Sequence, residues 1–338
     1  MPKLTIPLLV MLIVLAACSN AVPAPTLVSQ TLPATVAPPT SEPTAPPIAV
    51  APTTIPPTPL PPTATPLVFT LDWAGYVGYR VQAGDTLASI SERGGSLPIL
   101  ISRYNRLVGE PQAGRELIVP RLPDTTATLT SENLLVIKGN TSQPWVALTL
   151  DAGASSEPTA GMLDTLAANN AQITFFLTGT WMDENPELTR RIVADGHEIA
   201  NHSYTHRDFR TLTDAEIAEE LRSTEATLAR IAGSDVSLRP YFRPPFGAYD
   251  ERVLAAVIAN GYLPIYWTFD SLDSIGQTKY AEFLTARITA FLPRDEMPGA
   301  IILAHCGSAP TAEALPAVLA NFAAQGIEVR TISDVLGP

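Results

Sequence analysis

Beyond residue 142 the chain alternates short apolar runs with longer amphipathic stretches. Apolar runs of this length predict β-strands, and apolar positions that recur every three or four residues predict helices. Repeated strand–helix alternation favours an α/β fold, a parallel sheet or barrel whose functional side chains follow the carboxyl ends of the strands. The predicted strands are residues 145–150, 173–177, 197–200, 262–267, 300–304 and 329–332, and the predicted helices are residues 158–168, 186–194, 214–231, 250–259, 279–291 and 311–323.

A smaller unit with a different pattern lies between residues 79 and 122. A short strand runs into a Gly84-Asp85 turn, and Thr86 is placed to cap a helix that continues to about residue 93. A second helix is predicted over residues 97–104 and a closing strand over residues 114–120. The pattern therefore predicts a small βααβ domain ahead of the larger one.

The first residues have the layout of an export signal, with Lys3, an apolar run over residues 4–15 and small residues before Cys18. A retained membrane helix is the alternative, but it needs about 20 apolar residues, and this run is shorter and contains Pro7. Leu-Ala-Ala-Cys, ending at Cys18, resembles a bacterial lipobox and implies a lipid on Cys18; a soluble protein cut nearby is the other possibility. The predicted product is exported and anchored by lipid to the cell membrane, facing the periplasm or cell wall.

Composition separates the folded units from a tether. The chain has 338 residues and 33 prolines, and many of the prolines lie before residue 67 in a segment rich in Pro, Thr, Ala, Val and Ser. Such a composition favours extended polyproline conformations, so it predicts a disordered Pro/Thr linker that reaches on the order of 140 Å. The predicted domains are a signal peptide at 1–17, the tether at 18–67, the βααβ domain at 68–123, a polar connector at 124–142 and the larger domain at 143–338.

Net charge and cysteine content limit the possible partners and cross-links. The 33 acidic and 21 basic side chains give a net charge of -12, which repels phosphate backbones, so no nucleic acid is expected as a partner. The chain has two cysteines, and with a lipid on Cys18 no partner is left within the chain for Cys306. We therefore interpret Cys306 as a small buried core residue.

Three of the four histidines follow predicted strands. His202 and His206 lie four residues apart, and in a helical turn this spacing would bring both imidazoles to one face as a metal-binding pair. His305 follows the apolar run at residues 300–304. The histidine pattern therefore indicates a metal site at the carboxyl ends of the strands.

Acidic side chains follow other predicted strands, and one arginine opens a rigid turn. Asp151 comes directly after the first strand, and Asp270 and Asp273 follow Trp267. Arg243 opens the rigid turn Arg-Pro-Pro-Phe-Gly, which can place a guanidinium beside a carboxylate and expose a backbone N–H. We expect these groups and the histidines to meet at one site.

The order of these motifs resembles that of the NodB-homology polysaccharide deacetylases, carbohydrate esterase family 4, over about residues 143–332. The resemblance implies an irregular or incomplete (β/α) barrel and a hydrolase that removes N-acetyl groups from a glycan. It also implies a divalent metal as cofactor, zinc in the first place and cobalt or nickel as alternatives. By this resemblance the site residues are Asp151 as base, Arg243 as its partner, His202 and His206 as metal ligands, the backbone N–H of Phe246 at the oxyanion, and His305 as acid, oriented by Asp273.

Phe246 stands where the family motif has tyrosine, and two further residues depart from the family motifs. Ala152 stands where the family has an aspartate ligand, and Ser274 stands where tryptophan is usual, which changes the expected wall of the sugar pocket. Because a methyl group cannot bind a metal, the third ligand could be Asp151, Glu157 or additional water. Two functions remain open, a hydrolase with a modified, weaker metal site and a glycan-binding lipoprotein that has lost catalysis.

The small unit at residues 79–122 resembles a LysM module in its first strand, its Gly-Asp-Thr-Leu turn, its central Asn105 and its Leu-Ile-Val-Pro end. The resemblance implies binding of N-acetylglucosamine-containing glycans such as peptidoglycan or chitin, and a purely structural role is the alternative. Together with the lipid anchor, such a module favours peptidoglycan as the substrate. The glycan groove would lie between the loop before Leu117 and the loop of Gly84, Asp85, Thr86 and Leu87.

Overall fold

The computed structural model describes residues 73–337 of the chain. The predicted signal peptide, the lipidation site at Cys18 and the Pro/Thr tether lie outside the described residues. Over residues 73–337, no helix has both the length and the apolar character that a membrane span requires.

Residues 75–121 form a small domain with the predicted βααβ order of elements. Its two strands pair antiparallel, with Gly75 opposite Arg121 and Arg80 opposite Glu116. As predicted, Thr86 caps the first helix, in a capping box with Ser89. The elements are β1 (Gly75–Arg80), α1 (Leu87–Gly94), α2 (Pro98–Tyr104) and β2 (Glu116–Arg121).

The larger domain is a curled parallel sheet with helices packed on its outside, an incomplete barrel, as the alternating pattern predicted. Its strands are β3 (Trp145–Ala152), β4 (Thr174–Leu177), β5 (Glu198–Asn201), β6 (Tyr241–Phe242), β7 (Leu263–Pro264), β8 (Phe269–Asp270), β9 (Ile301–His305) and β10 (Glu328–Val329). They are arranged in the order β7-β6-β5-β4-β3-β9-β8, with β10 beside β3. The helices are α3 (Thr159–Ala168), α4 (Gly179–Glu184), α5 (Pro186–Ala194), α6 (Asp214–Ala232), α7 (Glu251–Ala259), α8 (Ala281–Ala290), α9 (Ala309–Ala324) and α10 (Ile332–Leu336).

The two faces of the sheet bury separate apolar cores. Leu148 and Leu150 of β3 lie in the outer core, between the sheet and its helices. Ala147 of the same strand lies in the inner core, inside the barrel. This alternation follows from the two-residue period of a strand. Cys306 is fully buried in the outer core, as predicted, and burial raises the pKa of its thiol to about 12.

The strand predicted over residues 262–267 is wrong in extent. Only Leu263 and Pro264 pair with β6, and the chain re-enters the sheet at Phe269. Between these strands, the N–H of Tyr266 donates to the carbonyl of Val136 at 2.7 Å. The backbone therefore pairs with a segment that the local apolar pattern did not assign to the sheet.

The last predicted strand, at residues 329–332, is also wrong in extent. Strand β10 ends at Val329, and helix α10 begins at Ile332. The Thr331 side chain accepts a hydrogen bond from the Asp334 N–H and so caps this helix. A local capping signal thus overrides the apolar run that suggested a strand.

The predicted connector takes part in the barrel. Leu134 and Val136 are buried in the inner core, and Val136 forms a parallel bridge with Ile265. Lys138 forms an antiparallel bridge with Ala300, just before β9. The segment around Val136 therefore lines the open side of the incomplete barrel.

The βααβ domain packs against the amino-terminal ends of the barrel strands. Arg106 Nη1 lies 2.9 Å from Glu198 Oε1 at the start of β5, and Arg106 Nη2 donates to the carbonyl of Arg239, just before β6. Tyr104 donates from its hydroxyl to the carbonyl of Gly261, 2.6 Å away. Ile118 of β2 belongs to the inner core of the barrel, so the small domain closes that end.

Candidate active site

The polar residues singled out in the sequence meet at the carboxyl ends of the strands. Ala147 faces the inside of the barrel, so the two-residue period of the strand turns Asp151 to the same side. Ala200 likewise belongs to the inner core, two residues before His202. The resulting cavity has a volume of about 560 Å³, and its lining includes Asp151, His202, His206, Phe246, Trp267 and His305.

A buried ion pair forms the base of the cavity. Arg243 Nη1 donates to Asp151 Oδ1 at 2.6 Å and to Thr149 Oγ1 at 2.8 Å, and its Nη2 donates to the carbonyl of Tyr266. The Arg243 side chain is completely buried. Burial lowers the pKa of Arg243, whereas the charge and hydrogen bond of Asp151 raise it. An arginine keeps its charge under these conditions, so Arg243 orients Asp151, as the turn motif predicted.

The histidine pair lies in a loop after β5, and the predicted helical turn is wrong. The loop brings the rings together because Ser203 and His206 adopt left-handed backbone angles, with φ of 70° and 58°. The ring centroids of His202 and His206 are 4.9 Å apart. The four-residue spacing therefore identified two histidines that lie together in the structure, but it predicted the wrong backbone conformation for the segment between them.

His202 is held as a neutral imidazole with a defined tautomer. Burial lowers the pKa of His202 to about 4, although the nearby charge of Asp151 raises it. Its Nδ1 lies 2.9 Å from the carbonyl oxygen of Arg243, an acceptor, so Nδ1 carries the proton. Nε2 then presents a lone pair 3.5 Å from Asp151 Oδ2. Two acceptors that face each other in this way suit a bound cation.

His206 lies on the more open side of the cavity. Burial lowers its pKa as well. Its ring meets the Phe246 ring edge to face, at 4.5 Å between centroids. Phe246 itself has a left-handed backbone, with φ of 59°, and its side chain is 71% exposed. This aromatic ring forms part of the cavity rim at the place where the family motif has tyrosine.

On the opposite wall, Asp273 holds His305. Asp273 Oδ1 lies 2.7 Å from His305 Nδ1, and Oδ2 accepts from the His305 N–H and from the Thr311 hydroxyl. Burial raises the pKa of Asp273, but the bonds from His305 outweigh it and the net pKa is lowered. Burial lowers the pKa of His305, but Asp273 outweighs it and the net pKa is raised. The pair is therefore a charged or strongly polarised dyad.

Asp270 lines the same cavity but contacts neither histidine of the pair. Burial raises the pKa of Asp270, while a hydrogen bond from the Leu272 N–H lowers it. Ser274, in the place of the usual tryptophan, and the exposed Ile275 complete this wall. An aliphatic side chain thus supplies some of the apolar surface of the cavity that contains His305.

The described residues do not supply a third protein ligand of the usual kind. Over residues 73–337, no group of three or more His, Cys, Asp or Glu side chains is arranged to hold a metal ion. The Ala152 methyl group is fully buried in the outer core. Glu157 is exposed and is absent from the cavity lining. Of the side chains considered as a third ligand, Asp151 alone is placed beside His202.

Sequence reasoning missed Phe176, whose ring lies under Arg243 inside the barrel. No local signal marks it, because Phe176 is one apolar residue of an apolar strand. Its inward position could have been inferred only from the pairing of β4 with β3, where Phe176 lies opposite Asp151.

The candidate glycan loop of the βααβ domain lies outside this cavity. Asp85 accepts from the Tyr79 hydroxyl at 2.5 Å and pairs with Arg93. The Leu87 N–H donates to Glu110 at 2.6 Å and so links the two loops that were expected to border a groove. Gly84 and Thr86 are exposed.

The profile of the polysaccharide deacetylase family matches residues 138–265. The peptidoglycan-N-acetylmuramic acid deacetylase PdaA of Bacillus subtilis is 33% identical over 199 residues, which cover 59% of this chain and 73% of that protein. Its solved structure superimposes with a TM-score of 0.56 and 31% identity, covering 60% of this chain and 85% of that one.

Two further relatives differ in reported activity. A peptidoglycan-N-acetylglucosamine deacetylase of Listeria monocytogenes is 31% identical over 57% of this chain and 39% of its own length. The structure of a carbohydrate esterase family 4 pseudoenzyme from Bacillus anthracis matches with a TM-score of 0.55 and 27% identity, over 67% of this chain and 77% of that one. A mutant of that pseudoenzyme is described as having restored enzymatic activity. The chain belongs to the polysaccharide deacetylase family, carbohydrate esterase family 4, and its enzyme class is the predicted one, a hydrolase acting on N-acetyl groups.

Proposed function

We propose that this protein removes N-acetyl groups from peptidoglycan in the cell envelope. The observation that supports it is the convergence of a carboxylate–arginine pair and a carboxylate–histidine pair on one cavity with two neutral histidines. A base, an acid and a pair of nitrogen ligands are the groups that amide hydrolysis needs. The peptidoglycan substrate rests on the activities for which the Bacillus subtilis and Listeria relatives are named.

The histidine pair suits a divalent metal, zinc or else cobalt or nickel. His202 Nε2 and the facing Asp151 oxygen lie 3.5 Å apart and offer two acceptors, and His206 lies beside His202. When bound by His202 and His206, the metal would supply the Lewis acidity that activates water and polarises the acetamide carbonyl. With Ala152 in the aspartate position, Asp151 or additional water completes the binding, and the affinity is expected to be reduced.

The protein groups divide the proton transfers between two sides of the cavity. Asp151, oriented by Arg243, accepts a proton from the attacking water as its oxygen bonds to the acetamide carbon. The backbone N–H of Phe246 donates to the oxyanion that develops on the carbonyl oxygen. The carbon–nitrogen bond then breaks, His305 donates a proton to the departing amine, and acetate is released.

The dyad geometry supports His305 as the acid. Its raised pKa keeps more of the imidazole protonated near neutral pH. Asp273 receives three hydrogen bonds with its two oxygens, so its position is fixed, and it fixes the ring of His305. Asp273 thus acts as a positioning residue for the proton donor.

The second candidate function is a glycan-binding lipoprotein without catalysis. The observation that favours it is Ala152, together with the lack of a group of three metal-ligating side chains over residues 73–337. The retained pairs of Asp151 with Arg243 and of Asp273 with His305 favour the enzyme, because binding alone requires neither a base nor an acid.

We also propose that the βααβ domain is a LysM module that binds N-acetylglucosamine-containing glycans, peptidoglycan or chitin. The exposed loop at Gly84 and its hydrogen-bonded link from Leu87 to Glu110 support a shared groove. With a lipid on Cys18, the protein would be held at the cell membrane and face the periplasm or wall. Both binding and anchoring would keep the active site near its substrate.

Acetate release tests the proposal directly. The purified protein is incubated with peptidoglycan and with chitin oligomers, with and without Zn²⁺, Co²⁺ or Ni²⁺, and Asp151→Asn is the matched variant. Metal-dependent acetate that disappears in Asp151→Asn supports the deacetylase. Intact binding to either glycan without any acetate would instead support the binding protein.

A further inference from the structure

We propose that Glu220, on α6, is a positioning residue that holds the loop carrying His202 and His206 so that both rings face the cavity before any metal binds. The importance of this loop for catalysis rests on the proposed function. The loop comprises residues 201–206, and α6 packs beside it.

The loop has a conformation that its own sequence does not favour. Ser203 and His206 both carry side chains and both have positive φ, 70° and 58°, a region that residues with a Cβ rarely adopt. Two local bonds help, from the Ser203 N–H to Asn201 Oδ1 at 2.9 Å and from the His206 N–H to Ser203 Oγ at 2.9 Å. Neither of these bonds fixes the middle of the loop.

Glu220 supplies the acceptors for the two backbone N–H groups in the middle of the loop. Its Oε2 accepts from the backbone N–H groups of Tyr204 and Thr205, each at 2.8 Å, and its Oε1 accepts from the Thr205 hydroxyl at 2.6 Å. One half-buried carboxylate thus receives three hydrogen bonds from two consecutive loop residues. Bonds from backbone N–H groups to a charged acceptor are stronger than neutral ones. Two of the three contacts come from the loop backbone and one from the Thr205 hydroxyl, and none of them involves a metal.

The other side of the loop is closed against α4. The Tyr204 ring covers Gly179 so tightly that a Cβ there would lie 1.9 Å from the ring. The Tyr204 hydroxyl donates to Asp183 Oδ2 at 2.8 Å. These contacts hold the Tyr204 side chain, and the N–H groups of Gly179 and Thr180 donate to the loop carbonyls of Ser203 and Tyr204, each at 3.0 Å. Glu220 instead accepts from the N–H groups of Tyr204 and Thr205. The two anchors act on different atoms, so the effect of Glu220 can be isolated.

The test compares Glu220→Ala with Glu220→Gln in the full chain. A glutamine can still accept both N–H bonds with its carbonyl oxygen and donate its amide to the Thr205 hydroxyl, whereas alanine loses all three contacts. Glu219→Ala is the matched control, because Glu219 bonds only within its own helix, to Arg222 and Ser223. Each variant is measured for amide hydrogen exchange of residues 204–206 without metal, for Zn²⁺ affinity and for the melting temperature.

We expect Glu220→Ala to speed exchange at Tyr204 and Thr205 by about tenfold or more and to weaken Zn²⁺ binding by about ten- to a hundredfold. Glu220→Gln and Glu219→Ala should stay close to the parent protein in both. Unchanged exchange in Glu220→Ala would overturn the proposal, as would an equal loss in Glu219→Ala. If the parent protein binds no metal, the proposed metal site fails, and the exchange rates alone still decide whether Glu220 orders the loop.

Discussion

Arg243 lies on the face of the Phe176 ring, with its Cζ atom 3.9 Å from the ring centroid, inside the barrel and opposite the cavity. The ring carries partial negative charge on its face, and in a site without water this contact stabilises a guanidinium. The same guanidinium donates to Asp151, so the ring supports the orientation of the proposed base from below.

Replacing this ring should therefore impair the reaction more than it impairs folding. For Phe176→Leu we expect kcat/KM for acetate release to fall by about five- to thirtyfold, which corresponds to the ~1–2 kcal/mol of a desolvated cation–π contact. Phe175→Leu is the control, because Phe175 lies on the same strand but in the outer core. Equal losses of activity in the two variants, at equal melting temperatures, would contradict a specific role for Phe176.

The Ala152 methyl group lies in the outer core, but Ala152 is the last residue of β3. By the family motif we expect an aspartate at this strand end to turn its carboxylate toward His202 and His206 and to strengthen the proposed metal site. Ala152 is completely buried, so Ala152→Asp is expected to lower the melting temperature without metal, because a buried carboxylate lacks water. Zn²⁺ should recover this loss and bind at least about tenfold more tightly than in the parent protein. Calorimetric titration and thermal melting with and without Zn²⁺ measure both effects.

The control for this change is Ala154→Asp, which adds a carboxylate at an exposed position of the cavity rim. It should leave the melting temperature without metal nearly unchanged. If Ala152→Asp gains no Zn²⁺-dependent stability, the alanine is not the cause of a weak site.

The Asp273–His305 dyad predicts the alkaline limit of activity. The proposed acid, His305, must be protonated, and its pKa is raised above 6.5 because Asp273 outweighs the effect of burial. Activity should therefore persist as pH rises through 6.5 and decline only through the raised pKa. In Asp273→Asn the decline should move to lower pH, as a pH profile of kcat/KM would show.

Thr311→Val is the matched variant, since it removes one hydrogen bond to Asp273 and leaves the carboxylate in place. It should move the alkaline limit less than Asp273→Asn. A limit that stays unchanged in Asp273→Asn would mean that His305 is not the group whose protonation controls activity.

The ion pair between Arg106 of the βααβ domain and Glu198 of the barrel should stabilise the barrel, so replacing Arg106 should lower the free energy of unfolding. The Glu198 side chain is 5% exposed and that of Arg106 is 29% exposed, so Arg106→Gln leaves a buried carboxylate without its cation. Because part of the pair is open to water, we expect a loss of about 2 kcal/mol of unfolding free energy, below that of a fully buried pair. Urea unfolding measures it.

Arg222→Gln provides the comparison, because Arg222 and its partner Glu219 have side chains that are 70% and 57% exposed. Such a pair contributes about 0–1 kcal/mol. The single variant Glu198→Gln and the double variant Arg106→Gln, Glu198→Gln complete the comparison. The double variant should lose less unfolding free energy than the two single variants together. A loss equal to their sum would show that the two side chains do not interact.

Much of the fold follows from local sequence signals. The helix predicted at residues 186–194 has the observed bounds of Pro186–Ala194, and the helix predicted at 214–231 ends one residue later, at Ala232. Caps such as Thr86 and apolar periods act over a few residues, so they can be recognised in the sequence. The identities of the groups that line the cavity were predictable for the same reason, because polar residues directly after apolar strands mark strand ends.

What the sequence determined by itself was the strand–helix alternation, although without β6, β8 and α4, the family motifs and the substitution at Ala152. The tertiary structure decided that the histidines meet in a left-handed loop, that Ala152 faces the outer core, and that Phe176 supports Arg243. These features depend on partners far apart in the chain, as with Arg243 and Asp151, which are 92 residues apart. A local pattern carries no information about such contacts, because they form only when the strands pair and the barrel curls.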